Sequence, residues 1–309
     1  MKIFAILGHP VSHSLSPKLH NAVFHEMGLE DRKYEFLDVT PEKLEDALEE
    51  LRKGKYSGFS VTIPYKQEVM KYLEEVSDVA RKVGAVNTIL SQEDGTLWGD
   101  NTDYVGFAKS LEEAGIVYSR LSMDNGKAVD HRPSTALVLG SGGAAQAVIE
   151  VLHDRGYNVT VATRGKIGGK LSMINDQLSN GGNIDLLKDV ERRIILKNYD
   201  ELDPNEDYQL IVNTTPVGME ETKNVKRKTK NEGLILIEDD WYNPGRIYVD
   251  VIYMPKITPF LRRAQKVDAK IVTGDRMFLW QAVEQAKYFC EREEVRVEVM
   301  EQVLASLAS

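Results

Sequence analysis

"TALVLGSGGAAQAVIEVLHDRGYNVTVAT", residues 135–163, decides the fold. A short apolar run enters a glycine turn, a stretch of helical period follows, Gly156 ends it, and "NVTVAT" returns as a strand. Strand, turn, helix, glycine and strand make one β/α/β unit. Gly140, Gly142, Gly143 and Ala145 form G-x-G-G-x-A at the strand-to-helix turn. Glycines there let the backbone turn tightly and approach a pyrophosphate, whose charge is met by helix N-terminal amides. A glycine turn alone is weak evidence, because any tight strand-to-helix connection uses glycine; with both strands and the helix in place it predicts dinucleotide binding.

The end of the second strand selects the dinucleotide. An NAD site places Asp or Glu about twenty residues after the glycines, on the ribose hydroxyls. Here the chain reads Thr163, Arg164, Gly165, Lys166. A carboxylate would repel a 2′-phosphate, whereas a guanidinium and a hydroxyl can grip it, so the expected cofactor is NADP.

Upstream the same alternation starts at the first residue: "KIFAILG" as strand, "PKLHNAVFHEMG" as helix, "KYEFLDVT", "PEKLEDALEELRKG" and "YSGFSVT". "YKQEVMKYLEEV" has helical spacing, and "AVNTIL" with "TLWGD" reads as a hairpin around Asp94 and Gly95. Downstream strands are expected at "YQLIVNTT", "ILIEDDW", "IYVDVIY" and "AKIVTG", then two helices at about 276–292 and 295–307. The fold class is therefore α/β, with two α/β lobes. The first, 1–103, is rejoined by C-terminal helices at 274–309, and the second, 104–273, is of Rossmann type. The polar stretch 118–134 is the linker candidate; 166–198 and 220–233 read as surface insertions, and the basic run 223–230 as a solvated loop.

Acidic residues outnumber basic ones, 48 to 39, and the net charge of -9 argues against nucleic acid as a partner. No apolar run reaches membrane-spanning length. The single cysteine, Cys290, cannot close an internal disulfide and fits a reducing cytoplasm. A small-molecule ligand remains, and an anionic one must be held by local donors.

"GHPVSHSLSPKLHN", residues 8–21, supplies them. Ser16 before Pro17 reads as a helix N-cap, and Ser14, two residues away, faces the same side in extended backbone. Two hydroxyls beside a helix start make a carboxylate receptor. His9, His13 and His20 lack a metal-ligand arrangement, and no metal is expected. In "SVTIPYK" Thr62 ends a strand and Lys66 falls in the first turn of an expected helix, where a cation is disfavoured and would release a proton readily. "WGDNTDYVGF" places Asp103 at a helix start, where capping is the ordinary explanation and partnership with Lys66 the functional one. Asn87 in "GAVNT", Tyr253 in "VDVIYMPKITPF" and Gln281 in "MFLWQAVEQ" add polar groups in apolar settings.

These segments, with "LGSGGAA" and "NTTPVGM", resemble the shikimate/quinate dehydrogenase family in order and spacing over nearly the whole chain. The resemblance implies reversible, NADP-dependent reduction of 3-dehydroshikimate to shikimate, in chorismate and aromatic amino-acid biosynthesis, by a monomer or homodimer. It implies Lys66 and Asp103 as the catalytic pair. Ser14, Ser16 and Tyr253 would hold the carboxylate, and Thr62, Asn87, Asp103 and Gln281 the ring hydroxyls. Gly140, Gly142, Gly143 and Ala144 would carry the pyrophosphate, Thr163 and Arg164 the adenosine phosphate, and Met219 and Gly274 the nicotinamide side. Two motifs depart from the family: Thr163-Arg164-Gly165 replaces Asn-Arg-Thr, and Gly274-Asp275-Arg276-Met277 replaces Gly-Leu-Gly-Met, bringing charge toward the nicotinamide end. The alternatives are a quinate or aminoshikimate dehydrogenase, or a non-catalytic regulator on the same fold. The absence of an acidic residue at the ribose end opposes an NAD-linked quinate enzyme, and the presence of Lys66 and Asp103 opposes the regulator.

Overall fold

β1 (Lys2–Gly8) hydrogen-bonds on both edges to parallel neighbours, and its apolar side chains need cover on both faces of the sheet. The neighbours are β2 (Arg32–Asp38) and β3 (Gly58–Val61). With β4 (Glu75–Val76), β5 (Thr88–Ser91) and β6 (Leu97–Asp100) they form a six-stranded mixed sheet ordered β2-β1-β3-β5-β6-β4. The expected hairpin is present: β5 and β6 pair antiparallel, and Gly95 takes a φ of 82° at the turn. The computed structural model describes residues 1–12, 14–116, 123–124, 127–128, 134–163, 194–219 and 236–308.

Alternate residues of β1 feed two cores. Ala5 and Leu7 pack with Phe59, Ile89 and the apolar stripe Leu44, Ala47, Leu48 and Leu51 of α2 (Leu44–Arg52). Phe4 faces the other way, its ring centroid 4.7 Å from that of Phe289. There α1 (Ser16–Glu26) supplies His20, stacked on Tyr34 at 4.5 Å. Burial pushes the His20 imidazole down to about 3, so it packs as a neutral ring. This half also contains α3 (Asp78–Val83) and the start of α4 (Thr102–Glu113).

Of the expected linker, a short antiparallel pair, β7 (Met123–Asp124) with β8 (Lys127–Ala128), and Ser134 are described. The second sheet is wholly parallel. Its strands are β9 (Thr135–Leu139), β10 (Asn158–Thr163), β11 (Ile194–Asn198), β12 (Leu210–Asn213), β13 (Ile247–Asp250) and β14 (Lys270–Val272). Their order, β11-β10-β9-β12-β13-β14, is that of a dinucleotide-binding Rossmann sheet, whose connections reverse direction between β9 and β12. α5 (Gly143–Asp154) and α6 (Pro259–Lys266) belong to this half, and Leu137, Ile211, Trp241, Tyr248 and Phe260 share one of its cores. α7 (Gly274–Cys290) and α8 (Val297–Ala308) complete the chain, with α8 packed on α1. Two compact units result: Met1–Lys109 with Arg276–Ser309, and the described residues between Ser110 and Asp275.

Two expectations are corrected. The described part of "ILIEDDW" is not a strand but a bend leading to a short 3-10 helix, Asp239–Trp241. β11 lies inside the segment read as an insertion; its sequence "IILKN" follows a long polar run, and only pairing with β10 identifies it as the sheet edge. Cys290 closes α7 at 1% exposure, and burial pushes its thiol up to about 11. Among the described residues no helix is long and apolar enough to cross a membrane.

The carboxyl ends of β12 and β13 are pinned by one buried acid. Asp250 Oδ1 accepts from Asn213 Nδ2 at 3.1 Å and from the Ile252 amide at 2.9 Å, while Oδ2 accepts from the Thr258 hydroxyl at 2.6 Å. Burial nevertheless pushes this carboxyl up to about 7, the hydrogen bonds opposing the shift. An unfolded aspartate titrates at about 3.9. Between about 4 and about 7 the folded protein therefore keeps a proton that the unfolded chain has released, and stability falls as pH rises through that window. Asp250→Asn cannot ionise and should flatten this slope, read as urea-unfolding free energy at pH 5, 6, 7 and 8. An identical slope in both proteins would contradict it.

Candidate active site

β3 delivers the chain to Lys66 by a route different from the helix read in the sequence. Ile63–Pro64 is a cis peptide, the Tyr65 amide donates to the Thr62 carbonyl at 2.9 Å, and only a five-residue 3-10 helix, Glu68–Tyr72, follows. The Lys66 carbonyl accepts from the Val86 amide at 2.7 Å, so it is committed to the segment leading into β5 and not to a helical turn. Lys66 therefore lies outside any helix, and the expected helix-dipole effect on its ammonium is absent. What acts on its ammonium is a carboxylate: Lys66 Nζ donates to Asp103 Oδ2 at 2.6 Å, with side-chain exposures of 15% and 6%.

Asp103 is not the cap of α4. Asn101 Oδ1 takes that role, accepting from the Tyr104 amide at 3.3 Å, which leaves both Asp103 oxygens for other partners. Asn87 Nδ2 donates to Asp103 Oδ1 at 3.0 Å and to Thr102 Oγ1 at 2.9 Å. Asn87 Oδ1 accepts from the Thr102 amide at 2.8 Å and the Thr88 hydroxyl at 2.9 Å. Both donors and both lone pairs of the Asn87 amide are thus used within the protein, and its effect falls on Asp103. Lys66 is less constrained. It keeps two N–H groups with no hydrogen-bond partner among the described residues, available to a ligand oxygen.

α4 can bring Asp103 this close to α7 because residue 106 is glycine: a Cβ there would lie 2.7 Å from the Met277 carbonyl oxygen and 2.9 Å from Gln281 Cβ. Gln281 is 8% exposed and its Nε2 donates to the Phe278 carbonyl of its own helix. Thr62 lies at the end of β3, its amide bonded to the Leu7 carbonyl at 2.9 Å. Ser14 and Ser16 are together, but not through extended backbone. Leu15 between them is helical (φ -86°, ψ -9°) and is itself the N-cap position, with no side-chain cap. The Ser16 amide and hydroxyl both lie 3.2 Å from Ser14 Oγ, which accepts from the first and donates to the second. His9 pairs with Asp38 through Nδ1 at 2.5 Å, and His13 lies outside the described residues.

The second unit builds a different receptor. Gly140 takes a φ of 110°, and a Cβ on it would lie 2.7 Å from Thr214 Oγ1, so the turn after β9 requires glycine. α5 starts at Gly143 with Gly142 as N-cap, no side-chain cap and no acidic residue in its first turn. A Cβ built on Gly142 meets nothing within 4 Å, leaving room in front of the amides of Gly143 and Ala144. Open space, uncapped amides and absent carboxylates fit a pyrophosphate. At the end of β10, Thr163 Oγ1 lies 3.4 Å from Ser141 Oγ, and Arg164 lies outside the described residues. Met219 and Tyr253 follow β12 and β13, and Gly274 opens α7. The charge introduced by Asp275 is balanced inside this unit by Lys256, 2.9 Å away, and Arg276, in the first unit, pairs with Glu301 at 2.9 Å.

The sequence reading missed Ser60, Thr88, Thr102 and Gln285. Gln285, one helical turn after Gln281, donates to the Asn87 carbonyl at 3.0 Å and to Thr88 Oγ1 at 3.1 Å. The signal available was a second glutamine at i+4 on an apolar helix face.

A family model described as the shikimate dehydrogenase substrate binding domain matches residues 6–89. The chain is 36% identical to the shikimate dehydrogenase (NADP(+)) of Clostridium beijerinckii, covering 92% of this chain and 90% of that protein. It is 35% identical to the enzyme of the same name from Lysinibacillus sphaericus, over 91% and 89% of the two chains. Among solved structures, a shikimate dehydrogenase in complex with NADP+ superposes with a TM-score of 0.77 at 29% identity, covering 100% of this chain and 96% of that one. The Thermus thermophilus enzyme in complex with NADP(H) and shikimate gives 0.74 at 29% identity, with 99% of both chains covered.

Proposed function

The chain belongs to the shikimate dehydrogenase family, and from that premise we propose that Lys66 and Asp103 are its catalytic pair. It is an NADP-dependent oxidoreductase that interconverts 3-dehydroshikimate and shikimate. The observation that carries the residue assignment is the Lys66–Asp103 contact at 2.6 Å, with Asn87 holding the other Asp103 oxygen.

NADPH, when bound, supplies the hydride. In the reductive direction the carbonyl oxygen gains negative charge and must receive a proton. A Lys66 N–H not committed to Asp103 donates to that oxygen and passes its proton as the alcohol forms. In the oxidative direction the single alcohol proton passes to the neutral Lys66 amine, whose position Asp103 fixes by accepting from it. Ser14 and Ser16 offer paired hydroxyls to the substrate carboxylate, with Tyr253 assigned to it by resemblance. Thr62 and Gln281 are assigned to the ring hydroxyls. Residues Gly140 to Ala144 would hold the pyrophosphate, Thr163 and Arg164 the 2′-phosphate, and Met219 and Gly274 the nicotinamide side. The first unit is then the substrate domain and the second the cofactor domain, in a cytoplasmic monomer or homodimer.

Absorbance of reduced cofactor tests the reading directly, with shikimate or quinate against NADP or NAD. Shikimate with NADP should give the highest kcat/KM, and a larger value for quinate with NAD would replace the substrate assignment. Lys66→Ala should lower kcat by roughly 10²–10⁴-fold with shikimate KM changed only a few-fold. Undiminished turnover would remove the lysine from the chemistry. Arg164→Ala should raise KM for NADP at least tenfold, about 1.4 kcal/mol, and leave KM for NAD nearly unchanged. Equal losses for both cofactors would contradict a phosphate clamp.

A further inference from the structure

Behind the catalytic pair lies a run of buried polar groups with a single direction. The Ser60 hydroxyl donates to Gln285 Oε1 at 2.8 Å. Gln285 Nε2 donates to Thr88 Oγ1 at 3.1 Å, and Thr88 Oγ1 donates to Asn87 Oδ1 at 2.9 Å. Asn87 Nδ2 then donates to Asp103 Oδ1 at 3.0 Å. None of the five residues is more than 4% exposed, so bulk water does not compete for these bonds.

We propose that Gln285 is a positioning residue for the reaction, fixing the Asn87 amide, and through it Asp103, by dictating where the Thr88 hydroxyl proton points. This rests on the assignment of Lys66 and Asp103 to the reacting alcohol. Because Gln285 donates to Thr88 Oγ1, the Thr88 proton is directed away from the glutamine, and it meets Asn87 Oδ1. With its oxygen so engaged, Asn87 presents nitrogen to Asp103. A purely structural explanation would have Gln285 satisfy the Asn87 carbonyl, but that carbonyl already accepts from the Val61 amide at 2.7 Å. The neighbours of Gln285 along α7 include buried Leu279, Ala282, Val283, Ala286 and Phe289, and an apolar side chain at 285 would avoid desolvating an amide. The polar atoms of Gln285 are instead spent on groups leading to Asp103, on Ser60 and on the buried His20 imidazole.

Gln285→Leu removes those atoms at similar volume. It should lower kcat for shikimate between about tenfold and about a hundredfold, leaving KM for NADP within about twofold. Placed on Thr88→Val, which lacks the relaying hydroxyl, the same change should cost almost nothing further. Ser60→Ala, which unties the glutamine oxygen without altering α7, should lower kcat by about threefold and keeps the proposal open to refutation should the leucine variant misfold. A kcat for Gln285→Leu within about twofold of the parent, losses that multiply in the double variant, or an unchanged Ser60→Ala would each overturn it. Asp103→Asn, measured alongside, separates the two levels: retained turnover there defeats the assignment of the pair, while a dead Asp103→Asn beside an unaffected Gln285→Leu defeats only the role of the glutamine.

Discussion

Removing an ammonium and a carboxylate from water together costs several kcal/mol per ion, and geometry must offset that cost. Around Asp103 the first unit supplies the geometry from every direction. Asn101 takes the capping duty that would otherwise occupy the carboxylate, and Asn87 engages the oxygen that Lys66 does not. Gly106 lets α4 lie against α7. A pair of apolar side chains would fill this space with equal or greater stability. The expense is understandable if the pair has work to do on a third group, and Lys66 keeps two N–H groups without a hydrogen-bond partner among the described residues.

The second unit meets a different electrostatic problem. A chain of net charge -9 that uses NADP has to attract a polyanion, and α5 begins with uncapped amides and no acidic residue in its first turn. The connections reverse between β9 and β12, the turn after β9 requires glycine at residue 140, and α5 starts with uncapped amides beside it. Asp250 ties Asn213 to Thr258 at the carboxyl ends of β12 and β13.

Much of this was legible in the residues because it is written in short-range periodicity. The β9–α5–β10 unit, the β5–β6 hairpin and α2 follow from spacing and glycine placement alone. What escaped depended on partners distant in the chain. The helix expected at Lys66 has the right spacing, yet the Lys66 carbonyl is claimed by Val86. β11 has strand propensity for only five residues, and its pairing with β10 across the preceding polar stretch makes it a strand. Ser16 looks like a cap and is not, since the helix begins one residue earlier than the serine–proline rule suggests. Among site residues, Lys66, Asp103 and Asn87 are found together as the motifs imply. Gln285 was overlooked because a glutamine one turn after Gln281 shows no role until the Asn87 carbonyl and Thr88 hydroxyl are seen beside it.

Cys290, the chain's single thiol, is held protonated and shielded at the end of α7. Nucleophilic sulfur is thiolate sulfur, so the molecule presents almost none to oxidants or alkylating agents. A spectroscopic reporter coupled through a newly introduced surface cysteine would therefore speak from one address only, with the native sulfur left silent and in place.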